Sequence, residues 1–498
     1  MLEKADKKWY NITVKRKAGG KMINIGSRRE LFTDDFIVDT EKTTVPTVYN
    51  QPRGCERVFL HDAPWEEFSG YHSMVLRPDN GAYMYYKTTY TEKNADGSES
   101  KVNRFCLLES EDGLNWRRAE LDITPIDGYP VNNIITGRYD YYDNLFFYYD
   151  TNPDCPENER YKATYGEWGN ALFGYKSADG VHYEFHPEGD RKIVYPAVFE
   201  EHPPKGDPGR NPALLMSTAE SRCFFDSLNT CAYMSELGKY VALVRGFHTS
   251  TDDFPRGECP EEPLRDVRCS ESKDMESWTI PVLIDYGDES VHKCQVGGSS
   301  AIPYFRAPHI IFGMPGVRGG KDEGRPFSGG FFMSSRDGMH WSIADVPLLP
   351  KNEDGGRPHV PCIGMMQTRS LCDGKPVLSF YCRAMGGGMP TELFRYEIRL
   401  DGFAEKRSEG RGLLVTKPFT FDGNELEINF ATRASGYIKL ILRAEDESTI
   451  RSVKLSGDEI GHVVNFTDGS VADFAGKTVV LEAEMSDASL YSFKFNRS

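Results

Sequence analysis

Ser110-Glu111-Asp112-Gly113-Leu114-Asn115-Trp116 is a phrase that returns along the chain. Further copies read Ser177-Ala178-Asp179-Gly180-Val181-His182-Tyr183, Ser272-Lys273-Asp274-Met275-Glu276-Ser277-Trp278 and Ser335-Arg336-Asp337-Gly338-Met339-His340-Trp341. A decayed fifth is Arg399-Leu400-Asp401-Gly402-Phe403. The aspartates at 112, 179, 274, 337 and 401 are 67, 95, 63 and 64 residues apart. A unit of about 40–65 residues, each a small antiparallel sheet, is how propeller blades look in sequence. Five copies predict five blades.

Asp-Gly is a strong hairpin signal, because Gly accepts a positive φ and the Asp carboxylate accepts backbone N–H bonds within the turn. The aromatic that follows opens the next strand. Each phrase is therefore expected to staple the last two strands of a blade, and its Asp to do no catalysis. In the third copy Met275 stands in place of Gly, which predicts a turn of another type.

Outward from the phrases, the chain reads as strands. In the first unit Tyr71–Arg77, Ala82–Lys87 and Asn103–Leu108 precede the Asp112 turn, giving a four-stranded blade. The 95-residue interval from 179 to 274 holds an insertion, the Pro-rich 184–222 stretch, which reads as a long loop over one rim. Residues 404–412, charged and Gly-containing, read as a linker. Beyond it, alternating runs such as Leu426–Phe430 and Val479–Ala483 predict a small antiparallel sandwich. The expectation is an all-β chain: an N-terminal extension at 1–29, a five-bladed β-propeller at 30–403 and a C-terminal β-sandwich at 413–498.

The composition bounds the function. A net charge of −16 argues against a nucleic-acid partner, whose phosphates need basic patches. Eleven cysteines without C-x-x-C spacing give neither a zinc site nor a disulfide framework, and no apolar run approaches the ~20 residues of a membrane span. Residues 1–20 lack an apolar secretory segment, so the expected location is the cytoplasm. No phosphate-binding Gly-rich loop is present.

Five blades carrying Ser-x-Asp-x-x-x-Trp turns, followed by a sandwich, resemble the five-bladed propeller glycosidases, the clan of glycoside hydrolase families 32, 43 and 68, with the family 130 phosphorylases nearby. The opening Arg29-Glu30-Leu31-Phe32-Thr33-Asp34-Asp35 is similar to that of uncharacterised bacterial relatives of family 32. The resemblance implies carboxylates at the starts of the innermost strands, around a central funnel, acting on a small-molecule carbohydrate. Glycoside hydrolysis needs two carboxyls flanking the scissile bond.

Asp226, in Phe225-Asp226-Ser227, matches the family's funnel carboxylate, with Ser227 where the family has Pro. Where the first blade should open with Asp-Pro, this chain reads Ser69-Gly70-Tyr71-His72, and Asp34 or Asp35, or Glu66 and Glu67, are the stand-ins. The resulting assignment gives Asp226 the support of the oxocarbenium-like transition state, Asp35 the role of nucleophile or base and Glu289 that of acid. Glu392 is the other candidate acid, with a solvated rim residue as the plain reading of both glutamates. Arg245, Arg265 and Arg306 suit an acidic sugar through their forked donors, or else brace neighbouring blades against aspartates. Trp65 is a candidate stacking platform. His72 and His309 either contact substrate or, with no spacing rule behind them, hold a structural cation in the central channel; satisfied core histidines are the simpler reading. No other cofactor is expected. The rival functions are a non-catalytic carbohydrate-binding propeller and a glycoside phosphorylase.

Overall fold

The computed structural model describes residues 22–94, 96–136, 144–167, 171–183, 215–216, 225–226, 229–248, 264–275, 277–288, 290–318, 328–350, 359–384 and 390–497. Apart from three short 3₁₀ turns, the regular structure in them is β-strand. The chain divides into two compact units, residues 47–405 and a second unit that joins 1–46 to 406–498.

Within residues 47–405, four-stranded antiparallel meanders follow one another. The first runs Phe68–Leu76, Ala82–Lys93, Glu99–Ser110, Arg117–Arg118, and the second Leu145–Tyr149, Tyr161–Glu167, Ala171–Ser177, Leu215–Met216. The third takes Thr230–Met234, Lys239–His248, Leu264–Ser272 and Val282–Leu283, and the fourth Ile302–Tyr304, Ala307–Gly313, Met333–Ser335 and Trp341–Ile343. The fifth has His359–Arg369, Pro376–Ala384 and Glu392–Arg399, and takes its outermost strand, Arg53–Leu60, from the beginning of the chain. A further small sheet inside the fourth unit joins Gln295–Val296, Gly316–Arg318, Ser328–Gly330 and Leu349–Pro350.

The first strands of these sheets meet one another. Ile363 pairs in parallel with Ser73, linking the fifth sheet to the first. The Phe147 N–H donates to Ser73 Oγ at 3.3 Å, and the Thr230 and Ser299 hydroxyls lie 3.3 Å apart. Phe146, Cys231 and Ile363 share one buried cluster, with Ile302 packed against it.

The repeated phrases sit at the outer turns. Asp112 Oδ1 accepts the Leu114 and Asn115 N–H groups at 2.8 Å, Ser110 Oγ accepts the Gly113 N–H at 2.9 Å, and Gly113 has φ +72°. Asp179 and Asp337 repeat the pattern. Each turn also docks on the preceding sheet, Tyr381 donating to the Gly113 carbonyl and Tyr85 to the Gly180 carbonyl, both at 2.6 Å. The third copy is not of another type: Met275 adopts φ +62°, its N–H reaches Ser272 Oγ at 2.8 Å, and Trp278 Nε1 donates to its carbonyl. The surrounding contacts hold a methionine where glycine is favoured, against a cost of roughly 1–2 kcal/mol.

In the second unit, Glu425–Ala444 and Val479–Asn496 pair over most of their length. The expected linker is no linker: Lys406–Val415 pairs with Val479–Asn496. Nor does the unit expected to begin at residue 30 begin there: residues up to 46 join the second unit. Arg29–Leu31 pairs with the same long strand, and Phe32, Ile37 and Val38 are buried in the core of this unit with Phe419, Phe430, Leu440 and Phe493.

Candidate functional site

In three of the sheets a residue within or shortly ahead of the first strand is held in left-handed backbone. These are Tyr71 (φ +51°), Phe225 (φ +47°) and Ser300 (φ +44°). Non-glycine residues avoid this region, and such strain is stored where the surrounding structure imposes it. In the third sheet the imposing groups are identifiable. Asn229 Nδ2 donates to the carbonyls of Phe225 and Asp226, Asn229 Oδ1 accepts the Arg245 N–H at 2.9 Å, and the Phe225 N–H donates to the Arg245 carbonyl. Gly166, from the second sheet, lies so close that a Cβ there would overlap the Phe225 carbonyl oxygen.

The residue presented by this kink in the third sheet is Asp226. Its side chain keeps 30% exposure, and its Oδ2 lies 3.7 Å from Nη1 of the buried Arg245. Burial lowers the Arg245 pKa, with the Asp226 charge opposing it. Behind this pair Asp266 is buried, bonded by Arg268 through both carboxylate oxygens at 3.1 and 2.8 Å and facing His248 Nδ1 at 3.2 Å. Burial pushes the Asp266 carboxyl up, but the Arg268 charge and the hydrogen bonds of His248 and Arg268 outweigh it and keep it below the usual carboxylate range. The other nitrogen of His248 meets the His292 carbonyl at 2.7 Å, so both ring nitrogens face acceptors. The network fixes the charge around Asp226 without consuming its carboxylate.

The equivalent kink in the first sheet presents His72, the place where the sequence lacks its expected aspartate. His72 is 2% exposed. Its Nε2 lies 3.1 Å from Nε2 of His61, and its ring stacks on Tyr86. Glu66 closes the cluster. It accepts from Tyr86 Oη, from Arg118 Nη2 at 2.7 Å and from the Ala63 N–H at 3.0 Å, and lies 3.5 Å from His61 Nδ1. Burial raises the Glu66 pKa, yet the hydrogen bonds from His61, Arg118 and Tyr86 overcome it and hold the carboxyl at about 2. Burial lowers His61 and takes His72 well below the ordinary imidazole value, the nearby Arg383 charge adding to it.

Asp226, Arg245 and Arg265 thus come together in one sheet, with Arg265 on its exposed edge bonded to Gln295. Glu66 and His72 come together in another, but both are buried and engaged with protein groups, which removes them from direct substrate contact. Trp65 is equally removed: it is 6% exposed, and its Nε1 donates to Asn133 Oδ1 at 2.9 Å. Arg306 braces the decayed fifth phrase, its Nε donating to Asp401 Oδ1 at 2.9 Å beside the Tyr304 hydroxyl. Glu392 is paired with Arg57 at 2.8 Å, tying the outermost two strands of the fifth sheet. His309 is buried on the fourth sheet's second strand. Asp35, expected within the propeller range, belongs instead to the second unit, where its exposed carboxylate faces Lys406 Nζ at 3.5 Å. Glu289 lies outside the described residues.

Sequence reading missed His61, Tyr86, Arg118 and Arg383. A signal existed for the last. The second strands of three sheets carry a cation, in Tyr85-Tyr86-Lys87, Val244-Arg245-Gly246 and Cys382-Arg383-Ala384.

No protein family and no curated protein matches the chain in sequence. Solved structures similar to it include a family 43 arabinoxylan arabinofuranohydrolase from Bacillus subtilis in complex with cellotetraose (10% identity, 88% of this chain and 97% of that one, TM-score 0.37). Another is an N-acetylgalactosamine deacetylase from F. plautii in complex with blood group B trisaccharide (13% identity, 73% and 96%, TM-score 0.40). A third is an exo-β-1,3-galactanase from Phanerochaete chrysosporium with galactose (10% identity, 87% and 99%, TM-score 0.34).

Proposed function

We propose that the protein is a glycoside hydrolase whose residues 47–405 form a five-bladed propeller, with Asp226 as the funnel carboxylate. What supports the blade count is the run of five four-stranded meanders whose first strands contact one another, the last closed by Arg53–Leu60. The strands of the second unit, wrapped around their own core, are read as the sandwich. The free, largely buried cysteines, Cys106 and Cys362 among them, accord with a reducing cytoplasm.

The observation that carries the function is the position of Asp226. It lies ahead of the third sheet's first strand, half-buried beside a buried arginine, whereas Glu66 and Glu67, ahead of the first sheet's first strand, are engaged by Tyr86, Arg118 and Thr91. In this reading its ionised carboxylate stabilises positive charge developing at the anomeric carbon, where preorganised charge counts most. Arg245 orients it from 3.7 Å, with the Asp266–Arg268–His248 network on the neighbouring strand beside Arg245.

One observation favours the rival, a carbohydrate-binding module without catalysis: the carboxylates just ahead of the first sheet's first strand are engaged, Glu66 by Tyr86 and Arg118 and Glu67 by Thr91. A screen of aryl glycosides and oligosaccharides, with and without phosphate, on wild type and Asp226→Asn decides between them. Turnover that drops at least a hundredfold in Asp226→Asn is the expected result. Turnover unaffected by that change rejects the role of Asp226, sugar binding without turnover leaves the binding module, and turnover only with phosphate makes the protein a phosphorylase.

A further inference from the structure

The fourth strand of the first sheet, Arg117–Arg118, runs antiparallel to the third, so the chain leaves it at the edge where the first strand, Phe68–Leu76, begins. There it folds into a hairpin, with Leu121 bridging Asn132 and Ile126 bridging Tyr129. Gly128 turns its tip with φ +77°. The Tyr129 N–H donates to the Ile126 carbonyl at 2.8 Å, and the Tyr129 carbonyl accepts from Asn132 Nδ2 at 3.2 Å. The Tyr129 ring meets Trp65 edge to face, centroids 5.3 Å apart. Trp65 is pinned in turn by Asn133, which also bonds the Tyr86 hydroxyl and the Leu107 carbonyl.

This mount holds an aromatic ring out of the core. Tyr129 is 41% exposed and Val131, two residues on, is 54% exposed. Phe68, which opens the first strand, is 38% exposed. Thr88 Oγ1 bonds the carbonyls of both Trp65 and Phe68, tying Phe68 to the residue that backs Tyr129. A Cβ on Gly70 would come within 3.2 Å of the Phe68 ring, so that ring lies over the strand just ahead of the Tyr71 kink. Apolar side chains exposed singly need no explanation. Two rings and a valine on one edge, one ring backed by a buried tryptophan, need one. They offer far less surface than the ~800 Å² that each partner gives to a stable protein interface. They suit a ring-sized ligand with an apolar face and a polar rim. Asp127, exposed in the same turn, supplies a hydrogen-bond acceptor for hydroxyl groups.

We infer that Tyr129 and Phe68 form a stacking subsite for a sugar ring, so that the ligand is an oligosaccharide reaching over this edge of the first sheet rather than a single sugar. A ring already fixed by Trp65 loses little freedom on binding. The stacking role expected of Trp65 passes to Tyr129, and Trp65 holds the platform. The inference rests on the carbohydrate reading above and adds to it the length of the ligand.

Calorimetric titration of the full chain tests it with cellotetraose, xylotetraose, mannotetraose and laminaritetraose, each against its monosaccharide. In at least one series the tetrasaccharide should bind at least tenfold tighter. Tyr129→Ala and Tyr129→Leu should each lower that affinity about tenfold, the loss of one stacked ring, whereas Tyr129→Phe should retain it. Phe68→Ser should weaken it severalfold, and it carries the test if the Tyr129 variants melt too low to use. Equal binding of tetrasaccharide and monosaccharide in every series overturns the proposal. So does a length preference that survives Tyr129→Ala and Phe68→Ser, or one that Tyr129→Phe abolishes. Sedimentation showing a dimer that Tyr129→Ala breaks would assign the edge to a second copy of the chain, and would overturn it too. Tyr129-dependent oligosaccharide binding without turnover would defeat only the hydrolase reading. Turnover of aryl glycosides with no length preference would defeat only this one.

Discussion

The Nε2 atoms of His61 and His72 lie 3.1 Å apart in a site closed to water. One nitrogen must donate and the other accept, so the pair shares a single proton there, and a second charge would face its neighbour with no solvent to screen it. Burial lowers both imidazoles from the ordinary value of 6.5. A group whose folded pKa is depressed stabilises the fold fully above its unfolded pKa, and that contribution is lost as the pH falls below it. The melting temperature should therefore drop as the pH is taken from 7 to 5. His72→Asn should flatten that dependence, and an unchanged slope in thermal melts of the variant would show that the pair is not its source.

Glu66 is the anchor of the same cluster. Its carboxylate satisfies Tyr86, Arg118 and the Ala63 N–H, and Arg118 also holds Asp62 at 2.8 Å. Removing one partner of a buried ion pair costs about 3–5 kcal/mol, and the partial exposure of Arg118 puts Glu66→Ala near the lower end. Urea unfolding should show a loss of about 3 kcal/mol, Glu66→Gln losing less because the amide oxygen still accepts. The second acid limb follows from its pKa of about 2: stability held by the carboxylate is complete above the ordinary 4.5 and declines as the pH falls towards 2.

Met275 separates local strain from packing. Glycine would relieve a left-handed φ worth roughly 1–2 kcal/mol. The methionine side chain, however, is 1% exposed among Phe146, Tyr148, Ala242 and Trp278, and truncating a buried methionine costs about 2–5 kcal/mol. Met275→Gly should thus destabilise the protein in denaturant titration, although it restores the residue found in the other copies. A more stable variant would mean that the side chain packs poorly.

These residues mark what was legible in the sequence. The turn phrases were, because their hydrogen bonds run between residues two and three apart. The Asn229 bonds that hold Asp226 are equally local. Asp35 was misplaced because the strand beside it pairs with residues about 460 positions later; Arg29 bonds Ser492 across 463 residues. The approach of Arg383 to Gly70 was invisible for the same reason, since it arises where the fifth sheet meets the first, 314 residues apart at the Arg383–Ser69 bond. Met275 was misread because neighbouring sheets, not the turn itself, decide its conformation.

Gly166 provides the strictest test of how Asp226 is held. It belongs to the second sheet and touches no ligand in the proposed site, yet a Cβ at this position would overlap the Phe225 carbonyl oxygen and crowd Asn229 Nδ2. Backbone, not a flexible side-chain end, stands in the way, so Gly166→Ala must shift the Phe225–Asn229 segment that carries the carboxylate. Misplacing a reacting group by about 1 Å can cost on the order of a hundredfold in rate. On whichever glycoside the wild type turns over, Gly166→Ala should lower kcat at least tenfold, with far-UV circular dichroism unchanged and the melting temperature reduced by a few degrees. Full activity in a folded Gly166→Ala protein would show that Asp226 tolerates displacement, which a charge-stabilising carboxylate cannot do.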